Sequence, residues 1–350
     1  MFADAHLHLL HTAPEDVQDM LTAIANTGVT DASLLAVCPM EEYGVLQNFL
    51  ILWWKKHFCG MKLRAFGSLH EANDLYGSVP YEKQLKALLD FGCDGIKFIH
   101  MKPDIRKQVG KGIDDPSYDG VFAEMEARGI PVLIHSGDPE SFWDPALADP
   151  RDVARGWFYG DGTYCTWKEI YGETLRRLDK NPNLKVTMAH FFFLSEHLDE
   201  AIRVMETYPN VSFDLTPGRE MYVNFSANID AWHDFFEKYS DRLLFGTDSE
   251  DMRCVLKHDF VLKALTHDRT EFYDDCFQIT VKGLDLSAET VEKICYKNYI
   301  NFVGEINPSP SEENLLALGR RLYEDLNTHS ADVQSVQRLE EYLKIGANFL

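Results

Sequence analysis

The sequence predicts an α/β fold, a single (β/α)8 barrel (TIM barrel) with a C-terminal helical extension, and three observations predict it. Short apolar runs alternate with helical stretches eight times before about residue 305. That alternation marks parallel strands wrapped by helices, and eight strands can close on themselves. The chain has 350 residues, enough for a barrel of about 250 residues with insertions. The competing fold, an open doubly wound sheet, would show a Gly-rich phosphate loop after its first strand. His11-Thr12-Ala13-Pro14 stands there instead, and no G-x-G-x-x-G or G-x-x-x-x-G-K-[ST] occurs, which argues against a nucleotide cofactor. The barrel is expected over 1–305 and the helical extension over 306–350.

Phe2-Ala3-Asp4-Ala5-His6-Leu7-His8 reads as the first strand, with His6 and His8 on one face and Leu7 on the other. Residues 14–26 carry Val17, Met20, Leu21 and Ile24 at helical spacing and stop before Gly28. Strands follow at 30–37, 62–69 and 94–100, separated by helices at 41–58 and 81–91. A Pro/Gly/Asp loop at 103–116 precedes a helix at 118–128 and a fifth strand at 130–135. A long insertion, 136–164, holds Trp143 and Trp157. Beyond it the spacing predicts helices at 166–180, 195–207 and 228–239, and strands at 184–190, 211–216 and 242–248. Helices at 255–266 and 287–303 close the series, and two amphipathic helices form the tail.

Composition narrows the partners. With 34 Lys and Arg against 56 Asp and Glu, the net charge is −22, and such a surface repels nucleic acid and anionic membranes. A small-molecule substrate is the expected partner. Seven cysteines stand singly without a C-x-x-C pair, the pattern of reduced thiols rather than a disulfide framework. No apolar run reaches about 18 residues, and Asp4 and His6 sit where a signal peptide would be apolar; a cytoplasmic protein is expected. The apolar helix at 41–58 could serve either a homo-oligomer interface or packing on the barrel.

In a barrel of this kind the chemistry sits at the C-terminal ends of the strands. Those ends supply His6 and His8, Lys97, His135, His190 and Asp248, each interrupting or closing an apolar run. Singly, each has a plain explanation: a hydrogen-bonded core histidine, a snorkelling lysine, a helix N-cap. Six polar groups converging on one mouth would cost several kcal/mol each if buried unpaired. A divalent metal makes their burial sensible.

The ordered set Asp4-Ala5-His6-Leu7-His8, Gly95-Ile96-Lys97, His135, Ala189-His190 and Phe245-Gly246-Thr247-Asp248 resembles the amidohydrolase superfamily. Ile134-His135-Ser136-Gly137-Asp138-Pro139, Tyr208-Pro209-Asn210-Val211 and Asp241-Arg242-Leu243-Leu244 are similar to its amidohydrolase-related (amidohydrolase 2) branch. That branch includes aminocarboxymuconate-semialdehyde decarboxylase, resorcylate-type decarboxylases and lactone hydrolases. The resemblance implies a metal-dependent hydrolase with His6, His8, His135 and Asp248 as metal ligands. Asp248 would also take the proton of a metal-activated water, and His190 would stabilise an oxyanion, shuttle a proton or bind metal. It implies one ion, zinc before other metals, with Lys97 binding a substrate carboxylate. Two ions are implied if Lys97 is carbamylated. Arg106 and Arg219, in loops on the mouth side, could hold a carboxylated substrate, and Trp143 could cover it. The expected reaction is hydrolysis of an amide, lactone or ester. The alternative is a metal-dependent non-oxidative decarboxylase, against which the apolar run Phe191-Phe192-Phe193-Leu194 stands in place of a Gly-rich loop.

Overall fold

Strands β1 (Phe2–His8), β2 (Val29–Leu35), β3 (Lys62–Ser68), β4 (Gly95–Met101), β5 (Val132–Ser136), β6 (Val186–Met188), β7 (Val211–Asp214) and β8 (Leu243–Leu244) lie side by side in chain order, each parallel to the next. The ring closes where Ala5 N donates to Phe245 O (3.0 Å) and His8 N to Ser249 O (2.9 Å). The chain is therefore the (β/α)8 barrel expected from its sequence. The computed structural model describes residues 1–10, 13–37, 42–71, 79–329 and 333–347. His11 and Thr12 after the first strand, one of the seven cysteines (Cys38) and the first residue of the helix expected at 41–58 lie outside these residues.

Among the described residues, ten α-helices separate the strands: α1 (Pro14–Asn26), α2 (Glu42–His57), α3 (Tyr81–Asp90), α4 (Pro103–Val109), α5 (Asp119–Arg128), α6 (Pro150–Ala154), α7 (Trp167–Lys180), α8 (Leu198–Thr207), α9 (Arg219–Ala227) and α10 (Ile229–Lys238). After β8 come α11 (Cys254–Thr266) and a hairpin of β9 (Glu271–Asp274) and β10 (Ile279–Lys282). Then follow α12 (Ala288–Glu292), a π-helical turn (Lys293–Lys297) and α13 (Asn298–Val303). The tail is α14 (Glu312–His329) and α15 (Val333–Gly346). Local chemistry sets several ends. Pro14 opens α1, whose buried residues are the Val17, Met20, Leu21 and Ile24 of the helical pattern. Thr166 and Glu169 form a capping box at α7, and Gly129 ends α5 at φ 63°.

Inside the barrel, Ala3, Ala5, Leu35, Phe66, Leu133 and Leu244 pack with Tyr299, Phe302 and Val303 of α13. The Tyr299 hydroxyl meets Ser33 Oγ at 2.9 Å, so α13 plugs the N-terminal end of the barrel. The aromatic face of α2 is covered by the chain's own tail: Trp54 Nε1 donates to the Tyr342 hydroxyl (2.9 Å), Trp53 and Tyr342 rings lie 5.4 Å apart, and Leu315 and Leu316 are buried with them. Among the described residues no helix is long and apolar enough to cross a membrane.

Several segments differ from expectation. Residues 103–116 begin with a helix, α4; α9 and the β9–β10 hairpin were not foreseen; and β6 and β8 are short. The sixth strand ends at Met188 rather than at His190 because His190, Phe191, Phe192 and Phe193 all take left-handed backbone, φ 53–57°. Each such residue costs roughly 1–2 kcal/mol. Packing offsets it: Phe191 lies against Phe213, Phe225 and Trp232, and Phe192 against Tyr171.

Just beyond β3 a buried carboxylate joins the barrel wall to its helices. Glu71 accepts from the hydroxyls of Tyr81 (2.7 Å) and Tyr118, with Lys111 at 3.1 Å and His100 at 3.3 Å. Burial pushes its carboxyl up, but His100 and the two tyrosines outweigh this and hold it down at about 2. A carboxyl depressed on folding stabilises the fold above its unfolded value and loses that contribution as pH falls towards its folded one. Between pH 4.5 and 2 the native chain should lose on the order of 2 kcal/mol from this group. In Glu71→Gln that part of the acid sensitivity disappears, which urea unfolding at pH 7 and pH 3.5 measures.

Candidate active site

β1 delivers His6 and His8 to the open end of the barrel, both buried. Each has its Nδ1 anchored: His6 Nδ1 lies 2.8 Å from Asp214 Oδ2 and His8 Nδ1 lies 3.2 Å from Leu35 O. An acceptor beside Nδ1 puts the proton there and leaves Nε2 with a lone pair. The two Nε2 atoms face each other at 3.0 Å. Asp248 Oδ1 lies 3.2 Å from His8 Nε2 and 3.5 Å from His6 Nε2. Two lone pairs and a carboxylate oxygen so close repel one another unless a cation lies between them. A tetrahedral zinc with Zn–N bonds of about 2.0–2.1 Å sets its ligand atoms roughly 3.3 Å apart, close to all three distances. The donor set fits a divalent metal, and among the described residues His6, His8 and Asp248 form the compact ligand group.

Electrostatics favour the ligand forms. Burial, reinforced by Lys97, holds the His6 imidazole well below the usual histidine range, so it is neutral. Burial pushes the Asp248 carboxyl up, but His8, His6 and His190 outweigh it and hold the group well below the usual carboxylate range. Asp248 itself takes left-handed backbone, φ 51°, and its side chain remains one-third exposed at the mouth. Beneath it, Asp4 ties β1 to the β8 loop. Its Oδ1 accepts from the backbones of His6 (3.0 Å) and Thr247 (3.2 Å), and its Oδ2 from Thr247 Oγ1 (2.7 Å). Burial pushes this carboxyl up to about 7.

Lys97 of β4 is fully buried and its Nζ lies 3.2 Å from His6 Nε2. Burial lowers it to about 8, against the pull of Asp214 and Asp248. It faces the ligand group. His190 also lines the mouth, its ring 5.3 Å from His6 and 5.1 Å from His135. Thr216 Oγ1 donates to Asp214 Oδ1, so at 3.0 Å it accepts from His190 Nδ1 and leaves Nε2 as an acceptor. Burial lowers this imidazole to about 4. His135 turns its Nε2 to Asp138 Oδ1 (3.3 Å), which leaves Nδ1 with its lone pair. Asp138 in turn accepts from the Tyr159 hydroxyl (2.6 Å) and from Lys102 (3.3 Å), so the 137–166 insertion is tied to the barrel at this histidine. Neither His135 nor His190 belongs to the compact ligand group.

The three substrate-side residues chosen from the sequence are engaged elsewhere. Arg106 grips Glu173 in two bonds of 3.0 and 2.8 Å. Arg219 reaches Asp152 (2.9 Å) and Asp149 (3.4 Å). Trp143 donates from Nε1 to Cys165 O (2.9 Å) and packs on Tyr159. Asp214, by contrast, had no role from the sequence, yet it orients His6 through Oδ2 and accepts the backbone N–H of His190 through Oδ1 (2.7 Å). Its signal was there to read: it closes the apolar strand Val211-Ser212-Phe213 just as the other site residues close theirs.

A family model described as Amidohydrolase matches residues 3–302. Among solved structures the chain is similar to a 2,6-dihydroxybenzoate decarboxylase complexed with 2,6-dihydroxybenzoate, at 16% identity over 87% of this chain and 99% of that one, TM-score 0.52. It is similar to a 4-oxalomesaconate hydratase from Rhodopseudomonas palustris at 14% identity over 93% and 100% of the two chains, TM-score 0.53. It also resembles an uncharacterized TIM-barrel protein from Bordetella bronchiseptica, at 16% identity over 87% and 99%, TM-score 0.52. At these identities the likeness is one of fold. No curated protein matches the chain.

Proposed function

The chain belongs to the amidohydrolase family, whose model spans residues 3–302, and from that premise we propose that it hydrolyses an amide, lactone or ester bond of a small molecule with the help of one zinc ion. The observation that carries this reading is the pair of Nε2 atoms of His6 and His8, 3.0 Å apart, each stripped of its proton by an acceptor on the far side of its ring. A zinc ion held by His6, His8 and Asp248 would polarise the scissile carbonyl and acidify a water.

The remaining work falls to side chains. Asp248, ionised and partly exposed, accepts a proton from the attacking water at the carboxylate edge turned to the mouth. His190 presents a lone pair at Nε2, so of the three roles open to it this tautomer suits proton shuttling or metal binding better than oxyanion binding. His135, through Nδ1, is available as a further ligand once substrate or metal draws it in. Lys97, fully buried against His6, balances charge within the ligand group better than it reaches a substrate carboxylate. The arginines expected to hold such a carboxylate are already neutralised by Glu173, Asp149 and Asp152. The reading therefore rests on the bond broken and not on an anionic substrate.

Protein purified without chelator is expected to carry about one zinc per chain, measured by plasma mass spectrometry. Chelation should abolish hydrolysis of a panel of amides, lactones and esters, and added zinc should restore it. About two ions would make Lys97 a carbamylated bridge. Full activity without metal, or carbon dioxide released with no water added, would overturn the assignment.

A further inference from the structure

The carboxylate of Asp248 reaches the ligand group from a left-handed residue, φ 51°. An aspartate keeps that conformation only where its neighbours fix it, and here both neighbouring residues are fixed. Thr247 donates from its N–H and its hydroxyl to Asp4 (3.2 and 2.7 Å). Ser249 O accepts the N–H of His8 (2.9 Å). Between them stands the carbonyl of Asp248, which accepts from Lys257 Nζ at 2.5 Å.

Lys257 lies in the first turn of α11. The next residue anchors that turn: His258 is buried, its ring 5.1 Å from Phe2 of β1 and 5.3 Å from Phe245 just after β8. Two carboxylates share the loop before α11, but Arg253 takes both, Asp251 at 2.9 Å and Glu250 at 3.8 Å. Among the described residues the Lys257 ammonium has no carboxylate partner, and its hydrogen bond goes to the Asp248 carbonyl. A charged donor makes this bond stronger than one between neutral groups. Its place matters as much as its strength. Leaving the left-handed form means rotating about the N–Cα bond, which swings the carbonyl and the carboxylate together. Holding the carbonyl therefore holds Oδ1 where it now lies, 3.2 Å from His8 Nε2 and 3.5 Å from His6 Nε2.

We propose that Lys257 is a positioning residue for the metal site: by gripping the Asp248 carbonyl it keeps the carboxylate turned to His6 and His8, and zinc affinity depends on it. The consequence for zinc rests on the proposed function; the conformation of Asp248 does not.

Zinc affinity of the chelator-stripped full chain, measured by competition with a chromophoric chelator, reads the consequence. Lys257→Met should weaken it by about 10- to 100-fold, the range for losing a group that orients a ligand. Lys257→Arg, which can donate to the same carbonyl, should recover most of that loss. Lys263→Met removes the same charge from an exposed position of α11 and should leave zinc binding unchanged. A crystal structure of metal-free Lys257→Met reads the conformation, and should show Asp248 out of the left-handed region with Oδ1 withdrawn from His8. Native zinc affinity in Lys257→Met, no recovery in Lys257→Arg, an equal loss in Lys263→Met, or an Asp248 still left-handed beside His8 in Lys257→Met would each overturn the proposal. A native chain that binds no zinc would sink the zinc reading alone, and the structure of Lys257→Met would still decide whether the lysine positions Asp248.

Discussion

Asp248→Asn lowers turnover by about 100- to 10,000-fold, the range for removing a positioned general base. The substitution keeps the size of the side chain, the left-handed backbone and an oxygen facing His8, so the chain folds. What it loses is the capacity to take a proton. The carboxylate has this role because it is ionised and one-third exposed at the mouth beside the ligand group, whereas the neutral amide has no comparable basicity. Steady-state kinetics on any substrate found in the panel, with metal content measured in parallel, tests this. Turnover near that of the native protein would remove Asp248 as the base. A metal-free variant would show instead that its main part is in holding the ion.

Asp94→Ala destabilises the fold by about 3–5 kcal/mol, the cost of leaving one partner of a buried ion pair alone. Lys55 on α2 and Asp94 at the start of β4 meet at 2.7 Å, both side chains almost wholly buried. The lysine also donates to the carbonyls of Gly92 (2.7 Å) and Asn307 (2.8 Å), and the aspartate accepts from the backbones of Ala65 (2.8 Å) and Asn307 (2.7 Å). One pair thus fastens α2, two strands and the connection to the tail helices. Removing the carboxylate strands an ammonium and two backbone donors. Replacing both partners, Lys55→Met with Asp94→Asn, should recover much of the loss, because no charge remains buried. Urea unfolding midpoints of the three variants measure the difference; a loss in Asp94→Ala below about 1 kcal/mol would contradict the account.

The barrel was legible because hydrophobic periodicity is strongest where strands are buried on both faces and helices on one, and α1 to α3 fall within a residue or so of where the pattern puts them. The site was legible for a related reason: a polar residue closing an apolar strand is conspicuous, and His6, His8, Lys97, His135, His190 and Asp248 all reach the same mouth. Asp214 obeys that rule and could have been found by applying it to every strand. Other features leave little trace in one sequence. α9 and α10 are parted by Asn228 alone, so their apolar patterns run together. The pairing of Arg106 with Glu173 and of Arg219 with Asp152 joins helices far apart in the chain, and that of Lys102 with Asp138 joins two connections, which no local pattern encodes. The left-handed turn at His190 is invisible because phenylalanine ordinarily signals strand or helix, and only aromatic packing from β7, α7, α9 and α10 overrides that preference.

That turn also limits how the barrel can change. A loop built from glycines tolerates exchange one residue at a time, since its shape is native to its own backbone. Here the shape is borrowed from neighbours on several elements, and a lone substitution at Phe191 or Phe192 would release His190 before any new pocket had formed. Altered specificity is therefore more accessible through the 137–166 insertion, which borders His190 through Pro139 and Glu140, than through α9, whose Phe225 packs on Phe191. Directed evolution aimed at new substrates would do best to diversify that insertion and leave the phenylalanines fixed.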